Sequence, residues 1–161
     1  MTTRLLFFVR DNNAASLNYA LSPTTGVALS TGMIVSALKE KGLDTLALSV
    51  TGIEDILYIL SGVTPTHVVI ETLWLSGDEM KQLVAAYPDI TFIVRDHSDS
   101  CFRVLEENAT TNILSYFESG VEVMSNSLRS LVDISVIAEA TGYPEDMASY
   151  GPNLYPIPEK K

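Results

Sequence analysis

With 161 residues the chain has room for one domain, since single domains run to roughly 100–200 residues, and 47% hydrophobic against 19% charged residues describes a packed globule. Ten basic against twenty acidic residues leave a net charge of -10, which repels a phosphate backbone approaching the surface and excludes broad nucleic-acid binding. The single cysteine, Cys101, excludes an internal disulfide and a cysteine-based zinc cluster.

The opening run from Met1 to Arg10 is too short in apolar residues for a secretory signal. No apolar stretch approaches the ~20 residues that span a bilayer. A cytoplasmic protein with no membrane partner is expected, and the glycosylation sequon at Asn108-Ala109-Thr110 reads as chance.

Leu5 to Val9 is a short apolar run stopped by Arg10-Asp11-Asn12-Asn13, the pattern of a buried first strand. A polar loop through Ser22-Pro23-Thr24-Thr25-Gly26 leads to Val27, Met33, Ile34, Ala37 and Leu38 at helical spacing, closed by Lys39-Glu40-Lys41-Gly42. Thr45 to Val50 is a second strand, Gly52 to Leu60 a second helix, and the β-branched run Thr66 to Glu71 a third strand. Ser76 opens a helix with Asp78 and Glu79 at its positive end, and Pro88 ends it.

Ile90 to Arg95 is a fourth strand. A helical stretch follows between Cys101 and Glu118, with Thr110-Thr111 as its weak spot. Val121 to Met124 is a fifth strand and Ser127 to Ala140 a helix ended by Thr141-Gly142. Pro144, Pro152, Pro156 and Pro158 predict an irregular tail. Strand-helix alternation with short links predicts a three-layer, Rossmann-like α/β domain over residues 1–150, with a mostly parallel sheet of five or six strands and a proline-containing tail over 151–161.

In such a sheet ligands bind beyond the carboxyl ends of the strands, where the strand order reverses. That rule selects Arg10 to Asn13, Glu71 to Trp74, Asp96 to Cys101 and Asn126-Ser127. In Asp96-His97-Ser98-Asp99 a strand-end histidine beside carboxylates suits a general base or a partner for a ligand hydroxyl, whereas the plain alternative is helix capping by Asp96 or Ser98. Arg10 and Asn12 end the first strand, where a guanidinium can clamp a phosphate or carboxylate or merely pair with Asp11. Glu71 and Trp74 join a hydrogen-bond acceptor to an aromatic platform, although Trp74 serves equally well as a lid on the core. Asn126 and Ser127 end the fifth strand, and Thr25 and Gly26 open the first helix; both pairs suit helix capping as well as ligand contact.

His67 sits within an apolar strand and reads as a core histidine satisfied by a neighbour. Two histidines and no cysteine pair give little support for a metal site. No Walker loop and no glycine-rich dinucleotide fingerprint follows the first strand, so no cofactor is expected.

The run Pro65-Thr66-His67-Val68-Val69-Ile70-Glu71-Thr72-Leu73-Trp74-Leu75, followed by Tyr87-Pro88-Asp89-Ile90-Thr91-Phe92-Ile93-Val94-Arg95-Asp96-His97-Ser98, resembles the amino-terminal half of bacteriophage-encoded glycosyltransferase-like proteins of the two-domain B-type fold. The similarity continues through Ser125-Asn126-Ser127 and ends near Gly151-Pro152-Asn153-Leu154-Tyr155-Pro156. The resemblance implies a domain that receives the acceptor, with Glu71, Trp74, His97 and Ser98 lining the cleft and His97 as the base of any reaction. The family's second domain, which holds the sugar-nucleotide donor, is not in this sequence, so a complete transferase is not expected.

Three functions stay open at this point. The favoured one is binding of a small nucleotide-derived or sugar-containing ligand, extended for a phage protein to sequestering a defence signal, with self-association closing the cleft. The others are one subunit of a split glycosyltransferase with a separate donor-binding chain, and a non-catalytic interaction module.

Overall fold

A computed structural model of the protein describes residues 3–12, 19–22, 24–103, 105 and 108–155; Asn13, Pro23, Pro156 and Pro158 lie outside them. In chain order the elements are β1 (Arg4–Arg10), α1 (Gly26–Glu40), β2 (Asp44–Val50), α2 (Ile53–Gly62), β3 (His67–Glu71), α3 (Gly77–Ala86) and β4 (Thr91–Asp96). They continue with α4 (Ser100–Arg103), α5 (Ala109–Glu118), β5 (Glu122–Ser125), α6 (Leu128–Thr141), a 3-10 turn at Glu145–Met147 and β6 (Ala148–Tyr150).

The local chemistry explains most of these boundaries. Thr25 caps α1 by accepting from the Ala28 N–H, and Gly42 beyond its end adopts φ 82°. Ser76 and Glu79 form a reciprocal capping box on α3. Ser127 caps α6 through the Ser130 N–H, and Gly142 ends that helix at φ 81°. Both glycines take a left-handed turn that a Cβ would strain.

Two expectations from the sequence are corrected. The helical stretch between Cys101 and Glu118 is two helices, and the break precedes Thr110-Thr111, which sit in the first turn of α5 after Asn108 at φ 67°. A short polar side chain tolerates that left-handed turn better than a β-branched one does. The segment after Pro144 is also more regular than its prolines predict. Residues 148–150 pair with β5 in parallel, Ser125 opposite Tyr150, and Pro152 comes only after this edge strand has ended.

Among the described residues six strands run parallel in the order β2-β1-β3-β4-β5-β6, flanked by helices on both faces, a three-layer Rossmann-like arrangement. The order reverses between β1 and β3. Right-handed crossovers therefore put α1 on one face, because the chain moves outward to β2, and every later helix on the other. The packing agrees. Leu6, Phe8, Val68, Ile70, Val94 and Val123 share a core with α2, α3, α5 and α6, whereas Phe7, Ala47 and Val69 pack with Val35 of α1.

The open edge at β2 is partly guarded by the loop after β1: Ala20 bridges Leu48 in antiparallel sense, and Ser49 donates its N–H to the Tyr19 carbonyl at 2.9 Å. Among the described residues no helix is long and apolar enough to cross a membrane.

Candidate functional site at the strand carboxyl ends

The strand alternation decides which side chains meet. Val69, Glu71, Ile93 and Arg95 are separated in pairs by two positions on β3 and β4, which are in register with Glu71 beside Arg95. Both charged groups are therefore carried to the α1 face. The Arg95 guanidinium donates through Nη1 to Glu71 Oε1 at 2.8 Å, with the two side chains 4% and 0% exposed. Such a pair is stable only because each partner meets the other's charge; either one alone would be a buried, uncompensated ion.

His97, one residue past the end of β4, turns back onto the same carboxylate. Its Nε2 lies 2.5 Å from Glu71 Oε2. A carboxylate only accepts, so Nε2 carries the proton in the neutral ring and Nδ1 keeps its lone pair. Arg95 thus fixes Glu71, and Glu71 fixes the tautomer of His97, whose side chain is 10% exposed. Asn126 steadies the loop by donating its side-chain N–H to the His97 carbonyl at 3.4 Å and its backbone N–H to the Asp96 carbonyl at 3.2 Å.

The residue after Glu71 is under strain. Thr72 has φ 72°, a left-handed conformation that costs a β-branched residue about 1–2 kcal/mol, and its N–H donates to the Arg95 carbonyl at 2.7 Å. This kink ends β3 and turns the chain toward Trp74.

Arg10 and Trp74 form a second group, across the point where the strand order reverses. The Arg10 guanidinium carbon stands 5.5 Å from the centre of the Trp74 ring, and Arg10 Nε donates to Asn12 Oδ1 at 3.2 Å. Trp74 is half-buried against the core, and its indole Nε1 is buried with no acceptor among the described residues. It is both lid and platform: one part closes the core while the exposed Arg10 stacks over the ring.

Asp96 belongs to a third group on the opposite face. It is fully buried and accepts from Arg103 Nη2 at 2.5 Å, from Ser130 Oγ at 3.2 Å and, through Oδ1, from the Ser98 N–H at 2.9 Å. Its neighbourhood with His97 in sequence is therefore misleading, because consecutive residues at a strand end point to opposite faces. Asp96 ties α4 and α6 to the sheet.

The structure thus brings Glu71 to His97, and Arg10 to both Asn12 and Trp74, and it puts Asp96 and Ser98 in a structural network. Thr25 and Ser127 use their hydroxyls as helix caps, with Gly26 as the first residue of α1. His67 is half-buried with Nδ1 2.9 Å from Thr66 Oγ1, as a satisfied strand histidine. Arg95, Arg103, Ser130 and Thr72 escape the sequence reading. An arginine closing an apolar strand is a visible signal for Arg95, but only the β3–β4 register makes Glu71 its partner.

The strand-end loop after β2 is pinned as well. Asp55 accepts from the Thr51 N–H at 2.7 Å, from Thr51 Oγ1 at 2.6 Å and from the Tyr19 hydroxyl at 3.3 Å. The Thr51 hydrogen bonds hold the Asp55 carboxyl below its usual range against the opposing effect of burial. Among the described residues no cluster of three His, Cys, Asp or Glu side chains could hold a metal ion.

The sequence matches no known family model, and no curated protein matches it.

Proposed function

We propose that this domain binds a small nucleotide-derived or sugar-containing ligand at the carboxyl ends of β1, β3 and β4, as the acceptor-side half of a glycosyltransferase-like protein. The observation that carries the reading is the chain Arg95–Glu71–His97. It uses two buried charges to orient one imidazole at the place where doubly wound sheets hold ligands. A ring fixed in this way accepts a hydrogen bond from a sugar hydroxyl at Nδ1. Arg10, stacked over Trp74, adds a cation for a phosphate or carboxylate. The Trp74 N–H, buried with no acceptor among the described residues, costs about 1–3 kcal/mol.

Binding without turnover is the favoured form of this reading. Sequestration of a defence signal by a phage protein remains its extension, based on the family resemblance. Native mass spectrometry tests it, with the purified protein alone and then exposed to nucleotides, cyclic nucleotides, ADP-ribose derivatives and sugar nucleotides. A bound mass held by the parent and lost in Trp74→Ala supports the reading; no bound mass from any class contradicts it.

The second reading, one subunit of a split transferase, is favoured by α6. Its Leu128, Val132 and Val136 recur at every fourth residue and are 64%, 60% and 56% exposed, an aliphatic stripe suited to another protein surface. The same stripe would serve self-association. In the split enzyme His97 is the base that takes the acceptor proton, and activity requires the second chain.

A further inference from the structure

The α1 face of the sheet carries a second feature, which shares Arg95 with the strand-end group. Among the described residues α1 is the one helix on this face, and it covers β1 and β2. Beside it a groove of about 360 Å³ runs over Phe7, Val69, Ile93 and Met124, walled by Ile34 and Leu38 of α1. The side chains that line it are apolar apart from Arg95, whose charge is already met by Glu71.

One end of this groove is closed by a built strap. After β6 the chain turns across the carboxyl ends of the strands toward α1, and four hydrogen bonds fix it there. The Gly151 N–H donates to the Ser125 carbonyl at 2.8 Å. Arg95 Nη2 donates to the Gly151 carbonyl at 3.3 Å and to Asn153 Oδ1 at 3.0 Å. The Leu154 N–H donates to Oγ of the buried Ser30 at 3.2 Å. The strap sits close on the groove floor: a Cβ on Gly151 would meet the flexible Met124 side chain, which would have to shift. Gly151, Pro152 and Leu154 form this end wall.

The strap decides what can occupy the space. A crossover helix lies along the strands and would run into it, and two turns of a helix about 11 Å across fill roughly 1,000 Å³, far more than the groove offers. A slender apolar chain meets neither obstacle, and the volume falls within the ~300–1,000 Å³ of small-ligand sites. We propose that this groove binds a single aliphatic chain, acyl or alkyl, inserted end-on toward the strap with its polar head at the open end near Leu5 and Leu38.

Calorimetric titration with saturated fatty acids and with alkyl maltosides of six to fourteen carbons, each below its micelle concentration, reads this out. Affinity should rise roughly fourfold per methylene until the groove is full and then level off. Ile34→Trp, which fills the groove from its wall, and Met124→Gln, which keeps the side-chain length but makes the floor polar, should each flatten the rise. His97→Ala should bind the series like the parent. Thermal melts confirm that each variant is folded. A rise in both series shows that the chain itself is recognised; a rise with the fatty acids alone adds a carboxylate requirement and still supports the groove. Affinity independent of chain length in both series overturns the proposal, as does a rise unchanged in both groove variants. Either failure would leave the strand-end ligand untouched.

Discussion

His97 Nε2 lies 2.5 Å from Oε2 of Glu71, a residue 26 positions earlier on the neighbouring strand, and the other oxygen of that carboxylate is held by Arg95. One buried carboxylate therefore serves two cations or one cation and one neutral donor, depending on the protonation of the ring.

The first prediction concerns this carboxylate. Glu71→Gln leaves Arg95 buried without its counter-charge, and breaking a buried pair from one side costs about 3–5 kcal/mol. Urea unfolding should show the midpoint falling steeply for Glu71→Gln. Glu71→Leu combined with Arg95→Met removes both charges and should recover a large part of the loss. A midpoint close to the parent's for Glu71→Gln alone would contradict a dry, paired site.

Thr72 supplies the second. Glycine at this position removes a left-handed strain of about 1–2 kcal/mol and adds unfolded-chain entropy of about 0.5–1 kcal/mol. Thr72→Gly should therefore stabilise the domain by up to about 1 kcal/mol, roughly 2–4 °C in Tm for a chain of this size. If the strained turn orients Trp74, the same variant should bind the strand-end ligand more weakly although it melts higher.

How far the sequence reveals this arrangement depends on the range of the contacts. Strands β1 to β5 follow from apolar runs beside turn formers, and α1, α3 and α6 from caps at Thr25, Ser76 and Ser127, because those signals are local. The left-handed turn at Asn108 and the short β6, which pairs with β5, have no local pattern that encodes them. His97, Glu71 and Trp74 stand out by residue type at strand ends. The partnership of Glu71 with His97 in place of Asp96 comes from the β3–β4 register and the two-sided pleat.

The third prediction is a pH dependence at Asp55. Its folded pKa is lowered chiefly by the Thr51 hydrogen bonds, so its stabilising contribution is fully present above the unfolded value near 3.9 and is lost as pH falls through the lower folded value. Asp55→Asn should trail the parent in urea midpoint at pH 7, and the gap should narrow as pH falls below about 4. A gap constant with pH would show that Asp55 acts by packing alone.

The fourth tests helix packing. A Cβ on Gly77, in the first turn of α3, would collide with the Ser115 side chain on α5. Gly77→Ala should lower stability by about 1–3 kcal/mol, the usual cost of overpacking. Adding Ser115→Gly should restore less than the full amount, because glycine within α5 itself costs about 1 kcal/mol.

The central claim is that Glu71 orients the His97 ring, whose Nδ1 is proposed to meet the ligand. Because His67 and His97 are the two histidines of the chain, nitrogen-15 spectra of the imidazoles resolve the question with an internal control. The account predicts that neutral His97 carries its proton on Nε2, and that its Nδ1 resonance moves when a nucleotide or sugar nucleotide binds, while the His67 signals stay in place. A proton on Nδ1, or His97 signals that do not move with any member of the ligand panel, would contradict it.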